Sequence, residues 1–348
     1  MLRNLIFAII TLVITFLIYI YPFALAFHLL FATAILSPVT MVMTVTLSII
    51  LFVYLRTHMT SAVIGGITHY GMGIGFIGFC VFNLGFLASK VVPDQAFAIG
   101  LIGVGIFAIL SVMSLIAGRK IQLKHIEFSS PKLSESTNLI FISDVHLGSN
   151  PASHLQRICD QIASLDYDGL LIGGDLFDSS AFNHADLAPL KQIGKPIYFV
   201  TGNHEYYVKD HGNKLAQLEG YGITTLHDQA LSWRGITLIG IADNQPASRQ
   251  AEKVGDLLSD SAYNLVMVHQ PGIWGQVPET ADLMLSGHTH NGQIFPFNLL
   301  VRLQFKAVYG RYQRGNTHAY VSSGAGTWGP RMRLGTQNEI IHIALRPN

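Results

Sequence analysis

The sequence predicts an α/β domain with parallel strands, preceded by a block of four membrane-spanning helices. Three observations carry this. Residues 1–118 hold only four formal charges, Arg3, Arg56, Lys90 and Asp94. From about residue 136, short apolar runs alternate with helical stretches. Several of those runs stop at Asp, Asn or His.

A hydrocarbon core about 30 Å thick takes roughly 20 apolar residues of helix to cross. Residues 4–55 carry no formal charge, enough for two crossings, and Pro22 and Pro38 interrupt the run. The expected helices are 4–21, 34–55, 70–89 and 97–117, with a short apolar connection around His28 after the first. A cleaved signal peptide fits badly, because the run is too long and further spans follow. Glycines in the third and fourth segments permit close helix packing. His28, His58 and His69 have no carboxylate partner and do not read as a metal site.

Four crossings return the chain to its starting side. One side then holds Arg3, Arg56, Arg119, Lys120 and Lys124, and the other only Lys90, beside Asp94. Lys and Arg favour the cytoplasmic side. The expectation is an integral inner-membrane protein whose C-terminal domain faces the cytoplasm. The expected divisions are a transmembrane domain over 1–120, a linker over 121–135 and a catalytic domain over 136–348.

Beyond residue 118 there are nineteen Lys/Arg and twenty Asp/Glu, and the whole chain has a net charge of +1. This lacks the basic excess of a nucleic-acid binder, so no nucleic-acid partner is expected. Cys80 and Cys159 lie in different parts of the chain, and no disulfide is expected.

The runs "NLIFIS" (138–143), "GLLIGG" (169–174), "PIYFV" (196–200), "NLVMV" (264–268) and "ADLMLS" (281–286) read as buried strands. Further strands are expected near 222–226 and 236–241. Helical stretches near 152–164 and 184–193 separate the first three runs, giving β-α-β-α-β and hence parallel strands. Asp144 and His146 follow the first strand, Asp175 and Asp178 the second, and Asn203, His204 and Glu205 the third. His269 follows the fourth, and His288 and His290 the fifth. The steps from Asp144 to Asp175 and from Asp175 to Asn203 are 31 and 28 residues, close to the roughly 30 of one βαβ unit. Open α/β sheets place their sites at the carboxyl ends of strands, so these groups converge.

The pool of Asp144, His146, Asp175, Asn203, His269, His288 and His290 supplies four imidazoles, two carboxylates and one amide oxygen. It contains no thiolate, which suits manganese, iron or zinc better than a thiolate-selected metal or a calcium cage. Seven ligands are too many for one tetrahedral ion and suit two ions sharing a carboxylate. Taken singly, each motif reads as a turn, a cap or a surface accident. Five of them in one order, each directly after an apolar run, do not.

In that order the motifs resemble those of the calcineurin-like metallophosphoesterases: D-x-H at 144–146, G-D-x-x-D at 174–178, G-N-H-E at 202–205, His269, and G-H-x-H at 287–290. The resemblance spans about 136–345, and "GHTHNGQ" with the multi-span anchor is similar to the bacterial membrane-bound branch. That branch usually has Gly where Asn291 stands. The resemblance implies a four-layer αββα sandwich, α/β and α+β in character, with two divalent metals at its edge. It implies that Asp144, His146 and His290 bind one metal, that Asn203, His269 and His288 bind the other, and that Asp175 bridges them. His204 is implied as the catalytic imidazole, oriented by Asp178, while a metal-bridging hydroxide attacks phosphorus. Glu205 is read as structural, and Cys159 as a helix core residue.

Segment 294–315 is apolar and aromatic, interspersed with Arg302, Lys306, Arg311 and Arg314. It reads either as core strand plus loop or as an interfacial segment beside the site. Arg331 and Arg333 read either as substrate-phosphate clamps or as surface residues. Little room remains between His204 and His269 for a large lid domain. The leading expectation is a membrane-anchored phosphodiester or pyrophosphate hydrolase with a lipid-linked substrate. A tethered phosphodiesterase or phosphatase for soluble substrates is the alternative, and a non-catalytic metal sensor is a third reading.

Overall fold

The computed structural model describes residues 2–57, 61–180 and 182–348, so His58 lies outside the described residues. The chain divides into two compact units, Met1–Ile116 with Gly329–Met332, and Ala117–Trp328 with Arg333–Asn348.

In the first unit four helices are long and apolar enough to cross a membrane: Leu2–Phe31, Pro38–Thr57, Val63–Val91 and Pro93–Ala117. Their burial is partly inverted relative to a water-soluble bundle, although Leu25, Leu29, Leu51, Ile77 and Phe82 are also buried. Thr11, Thr15, Thr44, Ser48, Ser111 and Ser114 are buried, while Leu5, Ile9, Val42, Ile49, Leu101 and Ile109 are exposed. Such packing suits a hydrocarbon solvent, in which small residues let helices approach. Several buried hydroxyls bond back to their own helix, as Thr15 does to the Thr11 carbonyl at 2.7 Å.

The first helix departs from expectation. Pro22 does not end it; the chain continues to Phe31, and the connection expected around His28 is helical. Proline lacks an N–H and crowds the carbonyl four residues back. Here the preceding turns, Thr15–Ile20, widen into a π-helix, one way of absorbing that clash. The carbonyl four residues before Pro22, that of Ile18, lies against Gly75, where any Cβ would collide with it.

The second unit contains two six-stranded sheets. The first has the order β1 (Ile121–Ser130), β12 (Asn338–Pro347), β2 (Thr137–Ile142), β3 (Gly169–Gly173), β4 (Ile197–Val200), β5 (Ile223–Thr225). The second has the order β10 (Gly310–Arg314), β11 (Thr317–Val321), β9 (Leu283–Ser286), β8 (Tyr263–Val268), β7 (Ile236–Ile241), β6 (Gln229–Trp233). Pairings β2–β3–β4–β5 and β7–β8–β9–β11 are parallel. β12–β2, β6–β7 and β10–β11 are antiparallel.

Period-two side chains from both sheets fill the space between them: Leu139, Phe141, Leu171 and Val200 meet Leu238, Leu265, Met267 and Leu285. The outer face of the first sheet packs on the helix Ala152–Ala163 through Leu155, Ile158, Cys159 and Ile162. The outer face of the second packs on Ala247–Leu257 through Val254. This is the αββα sandwich, with two apolar layers outside a central sheet-on-sheet core. Residues 121–135 are not a linker: β1 occupies most of them and pairs along its length with β12. Its alternation of exposed and buried positions marks an edge strand.

Candidate metal centre

β2, β3, β4, β8 and β9 each run into the ligand pool within a few residues of their carboxyl ends. The chain does not leave these strands in a relaxed conformation. Asp144, His146, Asp175, His288 and His290 all have φ between +49° and +71°, a region costly for residues other than glycine. The left-handed turns aim side chains of neighbouring loops at one another. Glycine keeps the approach close: a Cβ on Gly287 would strike the Asp144 carboxylate, and one on Gly202 the Asp175 carboxylate.

The structure gathers the pool into two groups whose ligand atoms could each hold a metal ion: Asp144 with His146 and His290, and Asp175 with His269 and His288. In the first, His146 Nε2 lies 3.1 Å from His290 Nε2, and His290 Nε2 lies 3.5 Å from Asp144 Oδ1. In the second, His269 Nε2 lies 3.1 Å from Asp175 Oδ2, and His288 Nδ1 lies 3.2 Å from His269 Nε2. Asp175 Oδ2 is also 3.7 Å from His146 Nε2, so this carboxylate stands between the groups. His269 Nδ1 faces the Gly173 carbonyl at 2.9 Å, which turns Nε2 toward Asp175. Asn203 begins the short helix Asn203–Tyr207, and its Oδ1 is buried with no hydrogen-bond partner. An orphaned amide oxygen beside a cluster of nitrogen and oxygen donors fits a divalent cation.

Charge is unevenly shared. Burial alone disfavours ions here, yet it is outweighed at two centres. Against burial, the imidazolium of His269 holds the Asp175 carboxyl well below the usual range, and Asp175 holds His269 well above its own. His146 is raised likewise, against burial, by Asp178, Asp175 and Asp144. His288 is pushed down to about 4 by burial and by His269. Burial, His146 and Arg333 push His290 well down. Each group thus pairs one imidazole whose pKa is raised with one whose pKa is lowered.

His204 stands at the rim. Its Nε2 is 4.0 Å from Asp175 Oδ2, with 17% of the side chain exposed. Its backbone N–H donates to Asp175 Oδ1 at 2.9 Å. Burial lowers its pKa. The rings of Tyr207 and Trp328 flank it, with centroids 5.4 and 5.8 Å away.

Asp178 is placed differently from its expected post behind His204. Its carboxylate accepts from the Ser149 N–H at 2.9 Å and the Ser149 hydroxyl at 2.5 Å. It faces His146 Nδ1 at 3.2 Å, an ion-pair contact not aligned as a hydrogen bond. His204 is near, within 4.8 Å, but no hydrogen bond joins them. Glu205 is fully buried and accepts from the N–H groups of Asp175, Phe177 and Gly202 at 3.0, 3.1 and 2.6 Å.

Arg333 is neither a clamp for substrate nor a surface residue. It has no exposed surface. Its guanidinium is spent on the carbonyls of His290, Ser323 and Gly326, at 2.8, 2.5 and 2.7 Å, and on Asn338 Oδ1 at 2.9 Å. Arg331 belongs to the first compact unit, where it lies over the Tyr70 ring at 5.7 Å. Sequence reasoning missed Ser149, Tyr207 and Trp328, all outside the motif positions. The serine, three residues after His146 in "DVHLGS", and the tyrosine, three residues after His204 in "NHEYY", sit near enough to have been suspected; the tryptophan does not.

A family model described as calcineurin-like phosphoesterase matches residues 137–292. An uncharacterized metallophosphoesterase of Helicobacter pylori is 35% identical over 230 residues, covering 62% of this chain and 61% of that one. The chain therefore spans about three fifths of the length of that relative. A transmembrane protein with metallophosphoesterase domain from Danio rerio is 32% identical over 305 residues, covering 78% of this chain and 69% of that one. Among solved structures, the chain is similar to a phosphopantetheinyl hydrolase from Mycobacterium tuberculosis. That likeness has 15% identity and a TM-score of 0.35, over 56% of this chain and 90% of that one.

Proposed function

From the premise that the chain belongs to the calcineurin-like metallophosphoesterase family, we propose that it is a metal-dependent phosphoester hydrolase using two divalent ions. The observation that carries this is Asp175: one carboxylate oxygen within 3.7 Å of His146 in one ligand group and 3.1 Å of His269 in the other. Asp144, His146 and His290 would hold one ion, and Asn203, His269 and His288 the other, with Asp175 shared. Manganese is the first choice for this donor set, with iron or zinc as alternatives. When bound, such a pair activates water and neutralises phosphate oxygens.

The chain's own residues do the rest. Neutral His288 and His290 have free lone pairs for ligation. His146 and His269, whose pKa values are raised, bind a cation in competition with protons. Asp178, locked by Ser149, faces His146 Nδ1 at 3.2 Å and acts on that ring through its charge. His204, partly exposed and neutral at rest, is placed to donate a hydrogen bond to a phosphoryl or leaving-group oxygen.

The four apolar helices support anchorage in a membrane. The Lys/Arg bias supports an inner-membrane placement with the catalytic unit cytoplasmic. The substrate is a phosphoester, and the exposed Phe295, Leu299, Leu300 and Leu303, which follow the His288/His290 turn in the chain, support a lipid-linked one. The test is turnover of bis-p-nitrophenyl phosphate by the full-length protein with Mn²⁺, by wild type and Asp175→Asn. Wild-type activity that chelation and the substitution both remove is expected. A wild type that binds metal and turns nothing over would overturn the proposal. A comparison of lipid-linked and soluble phosphoesters in detergent then decides the substrate class, and equal turnover counts against the lipid.

A further inference from the structure

The helix Phe297–Gln304 is built inside out. None of its eight residues is buried. Leu299, Leu300 and Leu303 are 51%, 56% and 83% exposed, and Phe295 and Phe297 are 51% and 46% exposed. At about 100° per residue, Phe297, Leu300, Leu303 and Leu299 share one arc. Asn298 lies opposite, and that side faces the protein. The Asn298 backbone is so close to Gly292 that a Cβ there would collide with it. The Asn298 Oδ1 is buried without a hydrogen-bond partner. A helix on a water-soluble domain has the reverse arrangement, with its apolar stripe toward the core. Arg302 borders the apolar arc and Lys306 follows the helix; both are exposed.

This helix is tied to the metal centre. It begins seven residues after His290, and the ring of Phe305, at its end, lies 5.4 Å from that of His288.

We propose that Phe297–Gln304, with Phe295, is a membrane-surface helix whose Leu/Phe face enters the headgroup boundary of the bilayer. Arg302 and Lys306 would meet anionic lipid phosphates there. The proposal rests on the membrane reading of the four spans. Two features single out a bilayer over a protein partner. The same chain carries four helices suited to crossing one, and the last ends at Ala117, with three residues before β1. A Leu/Phe face bordered by cations is also the composition of helices that lie in the interface. The consequence is that the loop bearing His288 and His290 works at the lipid surface. A phosphoester with an acyl portion could then be presented without leaving the membrane.

The test uses the full-length protein in phosphatidylcholine vesicles with and without phosphatidylglycerol. A bimane probe is attached at Leu303→Cys or, as a control on an exposed site elsewhere, at Glu219→Cys, both in a Cys80→Ala, Cys159→Ala background. Leu303 is so exposed that the substitution removes little packing. The expected result is strong quenching of the 303 probe by acyl-chain spin-labelled lipid and none at 219. Adding Arg302→Gln and Lys306→Gln should weaken quenching only in the phosphatidylglycerol vesicles. Equal, weak quenching at both sites would overturn the proposal, as would disulfide crosslinking of the unlabelled Leu303→Cys protein to a second copy in the vesicles. Turnover of bis-p-nitrophenyl phosphate by the same samples separates the two readings. An unquenched probe on an active enzyme overturns the helix alone, and a quenched probe on an inactive one supports the helix while removing the hydrolase.

Discussion

Arg333 donates a hydrogen bond to the backbone carbonyl of His290, 2.8 Å away, from a position with no exposed surface. Burial pushes its pKa down to about 10, against the pull of Asp144 and Glu339, so it remains charged at neutral pH. Its fork joins the turn carrying His290 to the loop of Ser323 and Gly326. That second loop donates in turn from the Ala325 and Gly326 N–H groups to the Ser143 and Asp144 carbonyls, at 2.8 and 3.0 Å. The turns of two expected ligands are thus braced by one side chain.

Arg333→Met should leave the Ser323 and Gly326 carbonyls and Asn338 Oδ1 without their donor, while the His290 carbonyl keeps the Gln293 N–H at 3.0 Å. Stranding buried acceptors costs about 1–3 kcal/mol apiece at the upper limit, so a net loss of about 3 kcal/mol is expected. Arg333→Lys should rescue little, because an ammonium has three donors and no planar fork. Thermal unfolding of the detergent-solubilised protein reads this. An unchanged midpoint for Arg333→Met would show the brace to be dispensable.

Glu205→Gln tests the other brace. The carboxylate accepts from three backbone N–H groups with both oxygens, and an amide offers only one oxygen. At least one buried N–H must then face an NH₂, at a cost of about 1–3 kcal/mol. Because two of those N–H groups belong to Asp175 and Phe177, metal affinity should fall together with stability, by roughly 10–100-fold if the loop behaves like an outer support. Unfolding and Mn²⁺ titration of the variant measure the two effects, and normal affinity with normal stability would refute the assignment.

The strands that carry the site were legible because each is a short apolar run that ends abruptly at a charged or amide residue. Their parallel order followed from the 31- and 28-residue steps. Other features had no such signal. β1 reads as a linker because an edge strand with many exposed residues resembles polar loop. The helix through Pro22 was hidden because a π-helical turn leaves no mark in composition. The left-handed conformations at Asp144, His146, Asp175, His288 and His290 are imposed by the packed loops, since none is a glycine. Arg333 is charged, and nothing local to "GPRMRLG" says that its partners are carbonyls 7 to 43 residues away. Asp178 sits where its motif put it, but it is held by Ser149 and faces His146.

Metal binding should release protons, with a sign fixed by the shifted groups. His146 and His269 have raised pKa values, so protons compete with a cation for these imidazoles. His288, at about 4, and His290, well below its usual value, are already neutral at pH 6–8 and release none. Affinity should therefore climb as pH rises, steepest below the raised pKa values and flattening above them, with net proton release on binding. Calorimetric titration of Mn²⁺ in buffers of different ionisation enthalpy measures that release. Release of no protons at pH 7 would mean that His146 and His269 are not raised as described.

His204→Ala separates chemistry from ligation. The imidazole contacts the cluster only at 4.0 Å from Asp175 Oδ2, while its backbone N–H supports that carboxylate and survives the substitution. Mn²⁺ affinity should therefore change little, whereas kcat should fall by about 10²–10⁴-fold, the usual contribution of a positioned proton donor. Loss should be smaller for substrates with acidic leaving groups such as p-nitrophenol, which need no proton, than for alkyl phosphodiesters. Comparing kcat for the two classes in wild type and variant distinguishes the roles. An equal loss for both would point to stabilisation of phosphoryl charge. A greater loss for the alkyl ester would make His204 the donor to the leaving oxygen, and a collapse of metal affinity would place it among the ligands instead.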